Sequence, residues 1–409
     1  MPLKPAAERA DASPTGHAAR PAARLRAGRQ PDLPIGGLAG PFRRGLVRLG
    51  LAAASVALGW AAPALAQEPA AEPPKAYVVM DNDFAGPGGT DMQALLPLIS
   101  DPTVSVLGLT VVTGDGWENE EAARLLRFLE IAGRPDIPVV NGATYPLMRT
   151  AFEMKLWEQR FGKIPWKGAW GGLGPIDKAP QQQPALPHLD EGLPTTPPAS
   201  GLAANFLIKQ VHAHPHQVTV IAAGPLTDIA LAIRMDPSFA ADAKQLVFMG
   251  GLIDTAMQSV TGNADFASDF NLIFDPEAAH IALTAPWPKI TAVGDVSNSV
   301  MMDRALMDRI AAVKTPLTAY LSKYLNPLPL WDEMAAAIAV DPSLVTKSID
   351  AYMDIDVSGG VDYGRAHIWP DALAPKDAGV RLVTIVQDID RARFTDAFVK
   401  AAQWTPPTK

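Results

Sequence analysis

The sequence predicts an α/β fold with a mostly parallel central sheet, helices on both faces and a small β-rich C-terminal part. Short runs rich in Val and Ile alternate with amphipathic segments of helical period from about residue 75 onward. The strand-like runs are almost continuously apolar, as strands buried on both faces are. Their C-terminal ends carry Asp, Gly and Thr, where such sheets bind ligands.

In chain order, KAYVVMDND reads as a buried strand ending in acids, and TDMQALLPLIS as the helix that leaves it. VSVLGLTVVTGD is a second strand, followed by the amphipathic helix ENEEAARLLRFLEIAG, closed by Gly133. IPVVNG is a third strand. ASGLAANFLIKQVHAHP, QVTVIAAG, LTDIALAIRMDP and QLVFMGG continue as helix, strand, helix, strand. The pattern sets DND, TGD, AAG and MGG along one rim. Between about Pro146 and Pro198 the alternation stops in a stretch dense in Gly, Pro and Trp, expected as a long loop or lid over that rim. VTKSIDAYMDIDVSGG opens the β-rich part, and DRARFTDAFVKAAQ closes the chain as a helix.

Residues 1–66 read as a leader plus a secretory signal. Arg43, Arg44 and Arg48 precede the apolar run Leu49 to Ala62, and Ala64-Leu65-Ala66 fits a small-residue cleavage site. Residues 67–74 form a Pro-rich spacer, and 75–409 are expected as one domain. Export to the periplasm or beyond follows, with no membrane attachment after cleavage. A net charge of −8, which includes the basic leader, argues against nucleic acid as a partner. The absence of cysteine excludes disulfides, thiolate catalysis and Cys-ligated zinc.

The candidate chemistry starts at MDNDFAGPGGTD. Asp81 and Asp83 are expected on opposite sides of the strand end, one facing a site and the other tying down the turn. Asp91 opens the next helix, as a cap or as a ligand. Carboxylates gathered by a glycine turn repel one another, and a hard cation such as Ca²⁺ or Mg²⁺ relieves this. A phosphate cradle fits poorly, because the P-loop Lys is missing and acids flank the glycines. His212, His214 and His216 in VHAHPHQ imitate a metal clip but sit at the edge away from the rim. No G-x-S-x-G elbow supports a serine hydrolase. Downstream, Asn263, Asp265, Asp269 and Asn271 occupy a polar loop around Phe266 and Phe270, a composition suited to sugar hydroxyls or to Asx turns. Trp331, Asp332 and Glu333 begin an apolar helix.

Together these stretches resemble the inosine-uridine-preferring nucleoside hydrolase family, from about Lys75 to the C-terminus. That resemblance implies a Rossmann-like fold, a nucleoside substrate, a homo-oligomer and a calcium ion held by Asp83, Asp91, Asp332 and the carbonyl of Ala223. It implies Asp83 as the base that activates water, with Asp81 in support. Asn263, Asp269 and Asn271 fall on sugar-binding positions, Asp269 being one methylene shorter than the usual Glu. Two departures stand out. The turn is four residues longer, and Thr90 occupies the position of an aspartate that binds the ribose 2′-hydroxyl. Trp331 replaces a histidine found in some members, which gives a lean towards purines by stacking. The leaving base is then activated by stacking, by solvent, or by Trp166, Trp170 or Glu333. Loss of the carboxylate at Thr90 leaves a binding protein with little turnover, or a hydrolase of another N-glycoside, as the alternative.

Overall fold

In the first strand Val78 and Met80 enter one hydrophobic core while Val79 enters another, so the period-2 alternation of side chains feeds two cores from one strand. The computed structural model describes residues 76–171, 182–253 and 269–406; the leader, signal and spacer segments, Asn263 and Asp265 lie outside these. The described residues belong to one compact unit.

Its strands are β1 (Ala76–Asn82), β2 (Val104–Val111), β3 (Val139–Asn141), β4 (Val218–Ala222), β5 (Gln245–Met249), β6 (Ile290–Val293), β7 (Val345–Ile355), β8 (Ala366–Trp369) and β9 (Arg381–Ile389). They form one sheet in the order β3-β2-β1-β4-β5-β6-β9-β7-β8. Pairing is parallel from β3 through β9, and β7 then runs antiparallel to both β9 and β8. The β-rich C-terminal part is thus the far wing of the central sheet, joined through the parallel β6–β9 pair.

The helices are α1 (Thr90–Gln93), α2 (Leu96–Ile99), α3 (Glu118–Ile131), α4 (Ala151–Phe161), α5 (Ala203–Ala213), α6 (Thr227–Met235), α7 (Phe239–Asp242), α8 (Phe270–Phe274), α9 (Pro276–Thr284), α10 (Arg304–Ile310), α11 (Pro316–Lys323), α12 (Trp331–Val340) and α13 (Arg391–Ala402). Residues of α2, α3, α12 and α13 pack in one core, and residues of α5, α6 and α9 in the other. None of the described helices is long and apolar enough to cross a membrane.

Two expectations change. The segment after Pro146 is not an irregular loop throughout: it contains α4. Thr150 caps this helix by accepting from the Glu153 N–H, while the Glu153 side chain accepts from the Thr150 N–H. Met154, Ile164 and Trp170 of this segment share a small core with Trp117 and Phe274, so Gly and Pro density did not decide the local structure. Asn271, expected in a loop, lies in α8.

Candidate active site

β1, β2, β4 and β5 end side by side, so the turns that follow them share the rim. β1 stops at Asn82 and Asp83 begins the turn. Residues two apart on a strand point the same way. Asp81 and Asp83 take different partners because the strand ends between them, not because they alternate. Asp81 stays on the α6 side, accepting from the Thr110 hydroxyl at 2.6 Å and acting on the neighbouring Asp228. Burial pushes it up to about 7.

Asp83 is buried in a notch whose walls are glycines. A Cβ on Gly114 would lie 2.1 Å from Asp83 Oδ2, and one on Gly224 2.6 Å from Asp83 Oδ1. The N–H of Asp115 donates to Asp83 Oδ2 at 2.8 Å. The glycines of the widened turn serve close packing: a Cβ on Gly88 would lie 1.8 Å from the Tyr324 carbonyl oxygen, and Gly89 enters α1 at φ 131°.

Asp91 lies in α1 and Asp332 is the second residue of α12; neither is the N-cap, which falls to Gly89 and Leu330. Asn82, which alternation turns away from Asp81, joins them. Its Nδ2 donates to Asp332 Oδ2 at 3.1 Å and to the Asp91 carbonyl at 3.3 Å. The Asp91 and Asp332 carboxyls act on one another directly. Burial, then the charges of Asp115, Glu121 and Asp332, hold Asp83 well above the usual carboxylate range. Burial, then Asp332, Asp115 and Asp83, do the same to Asp91. Burial takes Asp332 up to about 7 and Asp115 to about 6. The charges acting on the three predicted ligands are those of other acids.

Buried, mutually repelling oxygen donors with no sulfur among them fit a hard divalent cation. Among the described residues no three acidic or histidine side chains already converge as an ion cage. Instead the Asn82 amide ties the Asp332 carboxyl to the main chain of Asp91, and a cation would relieve the repulsion among the acids. The Ala223 carbonyl beside Asp83 accepts from Asn271 Nδ2, which leaves its second lone pair. The structure therefore joins Asp91 and Asp332 through Asn82, and sets Ala223 and Asn271 together beside Asp83.

The remaining candidates divide. Asp269 faces the end of β5, where its Oδ2 accepts from the Gly251 and Leu252 amides at 2.8 and 2.7 Å. Trp331 is half-buried and donates from Nε1 to Asn298 Oδ1 at 2.9 Å. Thr90 is engaged on both sides, by Asp332 and Glu333. Of the three leaving-group candidates, Trp170 is buried against Phe274 with ring centroids 4.3 Å apart, and Glu333 is fully buried under Thr90. Only Trp166 stays exposed, with its indole N–H on the Asp115 carboxylate. The three histidines diverge: His212 meets Ser238 and Asp236, His214 stacks on Tyr77, and the His216 N–H bonds Asp242.

Sequence reasoning missed Asn82, Asp115, Asn298 and Glu121. Asn82 and Asp115 sit inside the rim motifs DND and TGD, and strand alternation alone points Asn82 towards α12. Asp115, Glu121 and Arg124 line a cavity of about 350 Å³ on the β2 side of Asp83, bordered by Ala85 and Gly86 of the widened turn. A hollow of about 380 Å³ between α2, α12 and α13 contains none of the site residues.

The sequence profile described as inosine-uridine preferring nucleoside hydrolase matches residues 78–396. Uncharacterized protein C800.11 of Schizosaccharomyces pombe is 32% identical over 340 residues, 78% of this chain and 82% of that protein. The pyrimidine-specific ribonucleoside hydrolase RihA of Salmonella agona is 26% identical over 341 residues, 80% of this chain and 98% of RihA. The solved structure of an inosine-guanosine nucleoside hydrolase superposes with a TM-score of 0.65 at 21% identity, covering 81% of this chain and 99% of that one. The chain belongs to the inosine-uridine preferring nucleoside hydrolase family, hydrolases that act on N-glycosides.

Proposed function

We propose that this family member is an exported, calcium-dependent hydrolase that cleaves purine nucleosides to free base and sugar. The observation that carries the reading is the joint burial of Asp83, Asp91 and Asp332 at adjoining strand and helix ends, an oxygen-only donor set in which burial raises all three and the charge of Asp332 further raises Asp83 and Asp91. Calcium held by these three and the Ala223 carbonyl would neutralise the cluster and acidify a water beside it.

Asp83 takes the proton of the attacking water. The Asp115 amide fixes one of its oxygens, which leaves Oδ1 to act. Breaking the N-glycosidic bond develops positive charge on the sugar, and the clustered carboxylates stabilise it. Asn271 and Asp269 bind the sugar from the β5 side, and the resemblance adds Asn263 as a third sugar contact. Trp331, oriented by Asn298, offers an indole face to the base. Asp115 and Trp166 stand on the β2 side, where a hydrogen-bonding ring nitrogen of a purine would leave. Export rests on the signal-like segment before Gln67. A homo-oligomer rests on the family resemblance, and exposed Phe152 and Leu156, one turn apart on α4, offer an apolar face for it.

The test is base release from a panel of purine and pyrimidine nucleosides by the purified protein, with and without a chelator. Purine nucleosides should release base, chelation should stop this, and added calcium should restore it. Undiminished release after chelation removes the calcium assignment. Faster release from pyrimidines overturns the purine preference, and silence on every nucleoside overturns the hydrolase reading.

A further inference from the structure

Glu333 follows Asp332 in α12, and its full burial under Thr90 takes it away from the leaving base for which the sequence offered it. It is fully buried, and its Oε2 accepts the Thr90 hydroxyl at 2.5 Å. Its other oxygen, Oε1, has no hydrogen-bond partner among the described residues. Thr90 Oγ1 in turn accepts the backbone N–H of Asp332 at 2.9 Å. A carboxyl satisfied at one oxygen by one neutral hydroxyl is costly to bury, so stability alone gives no reason for an acid at this position.

Counting protons and lone pairs gives a reason. A hydroxyl has one proton and two lone pairs. The proton of Thr90 goes to Glu333 and one lone pair goes to the Asp332 N–H, so Thr90 can offer only an acceptor to a bound molecule. Donation to the Glu333 carboxyl also polarises the hydroxyl and strengthens that acceptor.

We infer that Glu333 is a positioning residue that makes Thr90 an obligate acceptor for a sugar hydroxyl of the substrate, beside Asp91 and Asp332. The acceptor a carboxylate at residue 90 would provide is supplied from α12 and relayed through the threonine. This rests on the nucleoside reading above.

The test uses the full chain with calcium and compares a ribonucleoside with its 2′-deoxy and 3′-deoxy analogues. Glu333→Met fills the space without an acceptor. It should lower kcat/KM on the ribonucleoside about tenfold or more. The loss should shrink on the one deoxy analogue that lacks the hydroxyl read by Thr90, while Tm is unchanged or higher. Thr90→Val should reproduce this pattern, and Thr90→Asp in the Glu333→Met background should recover most of the loss. Equal loss on all three substrates, no loss, or no rescue would each overturn the inference.

Calorimetric titration with the same three nucleosides separates the two readings. Should the wild type bind ribonucleosides without cleaving them, the hydrolase reading falls. The inference is then judged on whether Glu333→Met erases the difference in affinity between ribo and deoxy forms. Should it bind none of them, both fall.

Discussion

At Asp83 three requirements meet in one side chain: an amide donor from β2, a glycine on each flank, and neighbouring acids that oppose its charge. A carboxylate in that position is reactive because it is not at rest. Its proton affinity is raised by burial and by Asp115, Glu121 and Asp332, which suits a base. Asp83→Asn keeps the shape and removes one of the repelling charges. Base release should fall on the order of 10²–10⁴-fold, the usual worth of a general base. The Tm of the calcium-free protein should rise, measured by thermal scanning beside the activity assay. Full activity in Asp83→Asn would remove Asp83 as the base. Asn82 makes a different point. Only its neighbours in sequence drew notice, yet its amide is what ties the Asp332 carboxyl to the main chain of Asp91.

Among the elements, α12 and α4 carry the most consequence. Every residue of α12 from Asp332 to Ala339 is buried, an apolar rod whose first turn holds two acids at the positive end of the helix dipole. The sequence WDEMAAAIAV announces that helix, but it left Asp332 open as a mere cap, and the structure gives the N-cap to Leu330 instead. The lid was less legible. Gly, Pro and Trp dominate its composition, but the Thr150–Glu153 pair is a capping signal that could have been read. Thr150→Ala should destabilise by about 0.5–2 kcal/mol, the range for losing such a cap. The loss should be local: faster hydrogen exchange in α4 and in the Ile164–Trp170 segment, with exchange in β1 and β4 unchanged. Uniform loss of protection across the sheet would mean this segment is not a separate cooperative unit.

The whole molecule carries a stored charge imbalance. Asp269 and Asp275 are raised by burial from an ordinary 3.8 to about 6, and Asp81 to about 7. Between these pKa values the folded chain holds protons that the unfolded chain has released. Their contribution is therefore greatest below about pH 4 and is lost as pH rises through 6 to 7, at up to about 1.4 kcal/mol per pH unit for each group. Calcium-free protein should accordingly melt higher at pH 5.5 than at pH 8. Added calcium should raise Tm more at pH 8, where it no longer competes with protons at Asp83, Asp91 and Asp332. A calcium-free Tm that climbs from pH 5.5 to pH 8 would contradict this balance.

By itself the sequence determined the alternation of strands and helices, the two-faced sheet and the rim of acids, because side-chain period and burial are local properties of a chain. It also marked Asp83, Asp91 and Asp332 as candidate ligands, through the family resemblance, while leaving a capping role open for Asp91 and Asp332. Tertiary structure alone decided which atoms meet. Asn82 and Asp332 are 250 positions apart and Thr90 and Glu333 are 243 apart, so no pattern of spacing could pair them. The same holds for the glycines at 114 and 224, which matter only because β2 and β4 flank β1. Periodicity is written along the chain, whereas a site is made where distant strand ends are brought within a hydrogen bond of one another.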